Sequence, residues 1–153
     1  MKVMDKQLAL KISVANPTCG FEVSEVYDEL ENELLNAEVY RLESTKVTFA
    51  AIEFVAILGD VGSVASIAAF LFYIYDTRIR PKKRNQKDTC GLYIAIDPEN
   101  GLQWWLGKDF LNKTEFIKDF TMKVEKYLNT DRSGTVYEQI KVEVSGKDWI
   151  RRK

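Results

Sequence analysis

Between positions 47 and 75 the chain is apolar nearly throughout, interrupted by Glu53, Gly59, Asp60 and Gly62. A stretch of this kind has to leave water, so whatever fold forms must supply its cover. Residues 61–75 are apolar on every side. Such a helix lies either at the centre of a core or against lipid. Asp60 stands where an N-cap would accept backbone N–H bonds. Residues 49–58 fit a helix or a buried strand, because periodicity alone does not separate the two.

The lipid reading has a cost. A spanning helix needs about 20 predominantly apolar residues. Residues 61–75 fall short, and extension toward the N-terminus puts Asp60 and Glu53 into hydrocarbon. In its favour, the basic flank 78–87 suits the positive-inside rule, and Gly62, Ala65, Ser66 and Ala69 permit close helix packing. A membrane-associated protein using residues 49–75 therefore stands as the alternative. A buried core helix is favoured, because the strands elsewhere in the chain need a layer to cover them.

Those strands are legible. Leu8, Leu10, Ile12 and Val14 alternate with Gln7, Ala9, Lys11 and Ser13, the period of a strand with one buried face. Val23, Val26, Tyr27, Leu30 and Leu34 then take helical spacing, with Asn36 as the expected C-terminal cap. A short strand over 37–42 follows. After the apolar stretch come a basic loop containing Pro81 and an alternating strand with Leu92, Ile94 and Ile96. The turn Asp97-Pro98-Glu99-Asn100-Gly101 leads to a returning strand with Leu102, Trp104 and Leu106. Asn112 and Glu115 form a capping box for a helix that buries Phe116, Ile117, Phe120, Val124, Tyr127 and Leu128. Asp131-Arg132-Ser133-Gly134 reads as a turn into a last strand with Val136, Ile140, Val142 and Val144 on one face, broken by Glu138.

The expectation is an α+β domain over residues 1–148. It has a single sheet of about four to five strands, with helices packed on it including one very apolar central helix. Residues 149–153 are expected as a mobile basic tail. The 153-residue length fits one domain, and 46% hydrophobic with 29% charged residues is the balance of a chain that buries a real core.

Composition narrows function by subtraction. The chain has no histidine, which removes Ser-His and Cys-His nucleophile pairs and most zinc geometries. Cys19 and Cys90 make neither a disulfide framework nor a multi-cysteine metal site, and Cys19, set among acids, reads as an unreactive thiol. Asn129, Asp131, Ser133 and Gly134 imitate the start of a calcium loop, but Ile140 stands where its bidentate glutamate belongs. Gly59-Asp60-Val61-Gly62 is too short for a phosphate loop and carries an acid where phosphate would sit. An enzyme is disfavoured, and no catalytic residue, metal or cofactor is nominated. The net charge of −1 supplies no global attraction for nucleic acid or anionic membrane. The N-terminus lacks the apolar stretch and cleavage site of a signal peptide, so the expected location is cytoplasmic.

The order of elements over residues 7–107 carries a resemblance. A strand leads to an acidic helix and a short strand. Next come an apolar stretch broken by Gly59 and Gly62 and an alanine-rich helix ending in Arg78 and Arg80. A hairpin with Asn100-Gly101 at its turn closes the unit. This arrangement resembles the effector-associated constant component domains of bacterial conflict systems, small adaptors that accompany protease, caspase-like and nucleotide-sensing effectors. The chain departs from them in its longer charged loop and in the added helix and strand from Asn112 to Val144. The resemblance implies a non-enzymatic adaptor that couples an effector to a sensor by protein–protein contacts.

Two oppositely charged surfaces are the candidates for such contacts. One is the acidic face of the first helix (Glu22, Glu25, Glu29 and Glu33); the other is the basic loop (Arg80, Lys82, Lys83 and Arg84). They could pair between copies of the chain in a homo-oligomer or steer a protein partner. Each also reads as an ordinary solvated face.

Overall fold

The computed structural model describes residues 7–15, 28–30, 32, 37–42, 52–59, 61–82, 91–110 and 112–151. Strands β1 (Leu8–Ala15), β2 (Ala37–Leu42), β3 (Ile52–Leu58), β4 (Gly91–Asp97), β5 (Leu102–Leu106) and β6 (Trp149–Arg151) form one sheet in the order β5-β4-β1-β3-β2-β6. Every pairing is antiparallel. A helical segment at residues 28–30 (α1) lies between β1 and β2. Helix α2 (Val64–Ile74) follows β3, and α3 (Lys113–Leu128) and α4 (Asp131–Val144) follow β5. The architecture is α+β as expected, with six strands among the described residues in place of four or five.

The apolar stretch divides its labour. Its first half is β3, seated between β1 and β2 with Ile12 opposite Phe54, Leu10 opposite Ala56 and Leu8 opposite Leu58. Phe54, Val55, Ala56, Ile57 and Leu58 are all buried, because helices cover both faces of the sheet here. Leu8, Leu10, Ile12, Phe54, Ala56 and Leu58 share a core with α2 and α3, while Ala9, Val55 and Ile57 meet α4. A strand buried on both sides has no polar face, and that is why its period was ambiguous.

Helix α2 is the second half. It starts later than expected: Ser63, not Asp60, is its N-cap, its hydroxyl accepting from the Ser66 N–H at 3.2 Å. The cause lies in Gly62, whose φ of 61° is left-handed and postpones the helical turn; Asp60 itself is outside the described residues. Val64, Ile67, Ala68, Leu71, Phe72 and Ile74 are buried, leaving Ala65, Ser66 and Tyr73 outward. Among the described residues no helix is long and apolar enough to cross a membrane. The helical path continues beyond Tyr75 through a π turn (Tyr75–Ile79) and a 3-10 turn (Arg80–Lys82), where a loop was expected. Burial of Tyr75 and Ile79 holds those extra turns in place.

Helix α3 begins as predicted, with Asn112 Oδ1 accepting from the Glu115 N–H at 3.2 Å. It is fastened to the sheet and to α2 by rings: Trp104 and Phe120 centroids are 4.7 Å apart, Phe116 and Phe120 5.4 Å, and Phe72 and Phe116 6.2 Å. Each buried ring of this kind contributes about 1.5–3 kcal/mol through area alone.

Two expectations fail at the C-terminal end. The predicted last strand is helix α4, and Asp131-Arg132-Ser133-Gly134 is its first turn. Its buried residues Val136, Tyr137, Ile140 and Val144 repeat at helical intervals, whereas Val142, which completed the strand-like alternation, is 72% exposed. The tail from Trp149, set outside the domain by the sequence pattern, supplies β6. Leu42 pairs with Trp149 and Tyr40 with Arg151, and Arg151 reaches Glu38 at 3.1 Å.

Candidate binding cleft at the hairpin tip

The β4–β5 hairpin turns through Pro98–Asn100 and closes at Gly101, whose φ of 78° suits a residue without Cβ. This turn lies against the end of α3 and the start of α4. Between them opens a cleft of about 550 Å³, lined by residues 100–102 of the hairpin, Lys123, Lys126 and Tyr127 of α3, and Thr130 and Arg132 of the α3–α4 junction.

One wall is built around Asp97, the one buried charged side chain among the described residues at 3% exposure. Arg132 donates to it twice, Nε to Oδ2 at 2.5 Å and Nη2 to Oδ1 at 3.1 Å, and Asn100 Nδ2 adds a third bond at 2.8 Å. A bidentate guanidinium–carboxylate pair is among the stronger polar contacts and fixes orientation as well as distance. The bonds from Arg132, opposed by burial and aided by Asn100, hold the Asp97 carboxyl below the usual carboxylate range. Glu99 meets the same guanidinium at 3.4 Å.

Tyr127 sits in the last turn of α3, 7% exposed, and its hydroxyl is buried with no hydrogen-bond partner. Leaving such a group unsatisfied costs about 1–3 kcal/mol. Burial, and then the charge on Asp97, push its phenol up to about 12, with Arg132 acting the other way. Tyr127 is therefore a neutral donor near pH 7. The Thr130 hydroxyl is committed to the Tyr127 carbonyl at 2.6 Å. Lys123 pairs with Asp119 at 3.2 Å, and Asp119 also accepts from Trp104 Nε1 at 2.8 Å. Leu102, 6% exposed, gives the floor its apolar character.

The arrangement offers cationic side chains and an apolar floor, with the Tyr127 hydroxyl buried beneath its surface. Its acid is pinned as an anion by Arg132 and Asn100, which makes it a poor proton acceptor.

Of the two charged surfaces singled out from sequence, Glu29, Arg80 and Lys82 are described, and none of them lines the cleft. Glu29 faces inward enough to pair with Arg78 on the turn after α2, joining α1 to that turn within one chain. Arg80 bonds Asp76 at 2.8 Å and lies over the rings of Tyr75 and Phe72, 5.1 and 5.4 Å from their centroids. Lys82 closes the 3-10 turn. Glu22, Glu25, Glu33, Lys83 and Arg84 lie outside the described residues, as do Cys19, Cys90 and Asn36.

The cleft residues escaped the sequence reading because each has a sufficient local explanation. Asp97 reads as a turn former and Tyr127 as a core residue. Lys123 and Lys126 read as a solvated helix edge, and Arg132 as part of a turn. The one available signal was the spacing of Lys123, Lys126 and Tyr127, which puts three donors along one side of a helix.

Fold and cleft together define a class: an α+β domain with one antiparallel sheet, helices on both faces, and a cationic cleft where a hairpin tip meets two helices. No family model matches the chain, no curated protein is similar to it, and no solved structure matches its fold.

Proposed function

We propose that the chain is a non-enzymatic protein-interaction domain, an adaptor of a bacterial defence or signalling complex, and that it holds an acidic segment of its partner in the hairpin-tip cleft. The observation that carries this reading is the composition of the cleft. Lys123, Lys126 and Arg132 line the cleft beside an apolar floor of Leu102; Lys123 is paired with Asp119 and Arg132 with Asp97, while Lys126 meets no carboxylate among the described residues. Opposite charge at the rim steers a partner and sets register, while the floor supplies affinity. The run of elements from β1 through the β4–β5 hairpin follows the order on which the adaptor resemblance rests, and this supports the same role.

Selection from a random peptide library against the full chain tests the proposal, in parallel with a Lys123→Glu/Lys126→Glu variant whose folding is verified by circular dichroism. Both lysines are exposed, so the fold should survive the change. Enrichment of acidic peptides by the wild type and its loss in the variant is the expected result. Absence of enrichment, or enrichment equal in both proteins, would remove the cleft as a protein-binding surface.

A further inference from the structure

We propose that the outward face of α2 docks the same helix of a second copy of this chain, laid antiparallel about a twofold axis between Ala69 and Phe70. None of its residues lines the hairpin-tip cleft, so the surface is separate from the one described above.

The face is set apart by what it lacks. Outward positions of α3 carry Lys118, Lys123, Glu125 and Lys126, and those of α4 carry Glu138, Lys141 and Glu143. Residues 61–75 contain no charged side chain. Yet Ala65, Ser66 and Tyr73 are exposed, and Ala69 and Phe70 are half-buried. Tyr73 is 51% exposed, and Met122, on the outward side of the neighbouring α3, is 61% exposed. A single exposed ring needs no explanation, but an uncharged helical face bearing two marks a contact surface. Covering it strips water from no charge, the usual obstacle to burying a helix exterior.

Shape and charge select the occupant. Ser66, Ala69, Phe70 and Tyr73 follow one another along this face at helical spacing, small in the first half and large in the second. A parallel copy would set ring on ring and leave the small residues facing a gap. Turned end for end, Tyr73 of each copy lies over Ser66 of the other, and Ala69 at the crossing lets the backbones approach. A twofold contact requires this kind of self-complementarity. The same arrangement brings Asp76, half-exposed and bonded to Arg80 at 2.8 Å, to the start of the partner's α2. The first turn of α2 has no acid of its own, and a carboxylate is favoured at that positive end. A helix of 11 residues offers less than the roughly 800 Å² per partner of a standard interface, so the pairing is expected to be reversible and concentration-dependent.

Sedimentation velocity of the full chain over a concentration series tests the proposal. The wild type is expected to pass reversibly from one chain mass to two. Tyr73→Glu and Ser66→Lys each change an exposed side chain, so both variants should fold, which circular dichroism verifies. Each alone puts an unpaired charge into the contact and is expected to weaken pairing about tenfold or more. Mixed in equal amounts, the two variants should recover a dimer, because the introduced acid of one faces the introduced lysine of the other. A wild type that stays at one chain mass, variants that pair at full strength, or a mixture that fails to recover would each overturn the proposal. A single-chain wild type that sediments with phosphatidylcholine vesicles, and is released from them by Tyr73→Glu, would overturn it in favour of a lipid surface.

Discussion

Arg132, in the first turn of α4, grips the carboxylate of Asp97 with two nitrogens across 35 residues of sequence. The Asp97 side chain is 4% exposed and that of Arg132 46%, so the arginine lies over the acid from the solvent side. This pair joins the end of β4 to the start of α4 and forms one wall of the cleft.

Removing the arginine should cost more than removing the acid. Arg132→Met strands a buried carboxylate, whereas Asp97→Asn leaves a half-exposed guanidinium that water can solvate. In urea denaturation at pH 7 the midpoint of Arg132→Met should fall below that of Asp97→Asn. The double variant should recover part of the loss. Equal midpoints for the two single variants would show that the acid is not held away from water.

The same pair predicts an acid limb. The folded carboxyl of Asp97 is depressed below its ordinary value of 3.8. Its contribution is therefore present above that value and lost as pH falls through the lower folded value. Urea midpoints followed downward from pH 5 should drop more steeply for the wild type than for Asp97→Asn. Parallel curves would contradict this.

Tyr127 predicts an alkaline limb of opposite origin. Its phenol ionises at about 12 in the folded chain against 10.0 ordinarily, so folding favours the neutral form. The associated stability is intact below pH 10 and is lost as pH rises from 10 toward 12. Tyr127→Phe should flatten this part of the stability profile, measured by thermal unfolding monitored by circular dichroism. A phenylalanine variant with the wild-type alkaline slope would exclude Tyr127 as its source.

Helical α4 makes a prediction that a strand would reverse. Ile140 is 5% exposed and Val142 72%, although an alternating strand would put both on one face. Ile140→Ala should cost about 2–4 kcal/mol in chemical denaturation. Val142→Lys should stay within about 0.5 kcal/mol of the wild type. A large loss at Val142 would argue for the strand.

Gly91 is required by close approach. A Cβ there would stand 2.5 Å from the Leu106 carbonyl oxygen and 2.6 Å from Trp105 Nε1, while one at Gly59 would meet nothing within 4 Å. Because the first obstacle is backbone of the paired strand, Gly91→Ala should lose about 1–3 kcal/mol. Gly59→Ala serves as the tolerated control in the same thermal melts, and equal effects at the two sites would refute the close packing.

The period is legible in β5 and α3 because solvent meets one face of each. β1 and β4 show theirs through the large apolar residues that face α2 and α3, set against small or half-buried residues such as Ala9, Lys11, Tyr93 and Ala95 on the other side. α3 also announces its start with Asn112. β3 gave no such signal, since α2 and α3 cover one side of it and α4 the other. α4 was misread for a different reason. Gly134 and the β-branched Thr135, Val136, Val142 and Val144 weaken its helical propensity, and the exposed Val142 mimics a strand face. Only packing against Ala9, Val55 and Ile57 decides for the helix. The cleft lay still further from local reading. Its residues come from a turn, a helix edge and a helix start, each locally ordinary. Sequence alone determined that the apolar stretch had to be covered and that one-sided strands would do part of the covering. The tertiary structure decided which face each helix took, and it brought Asp97 to Arg132 and both to Tyr127, because a buried charge and its partner are defined by the three-dimensional enclosure around them.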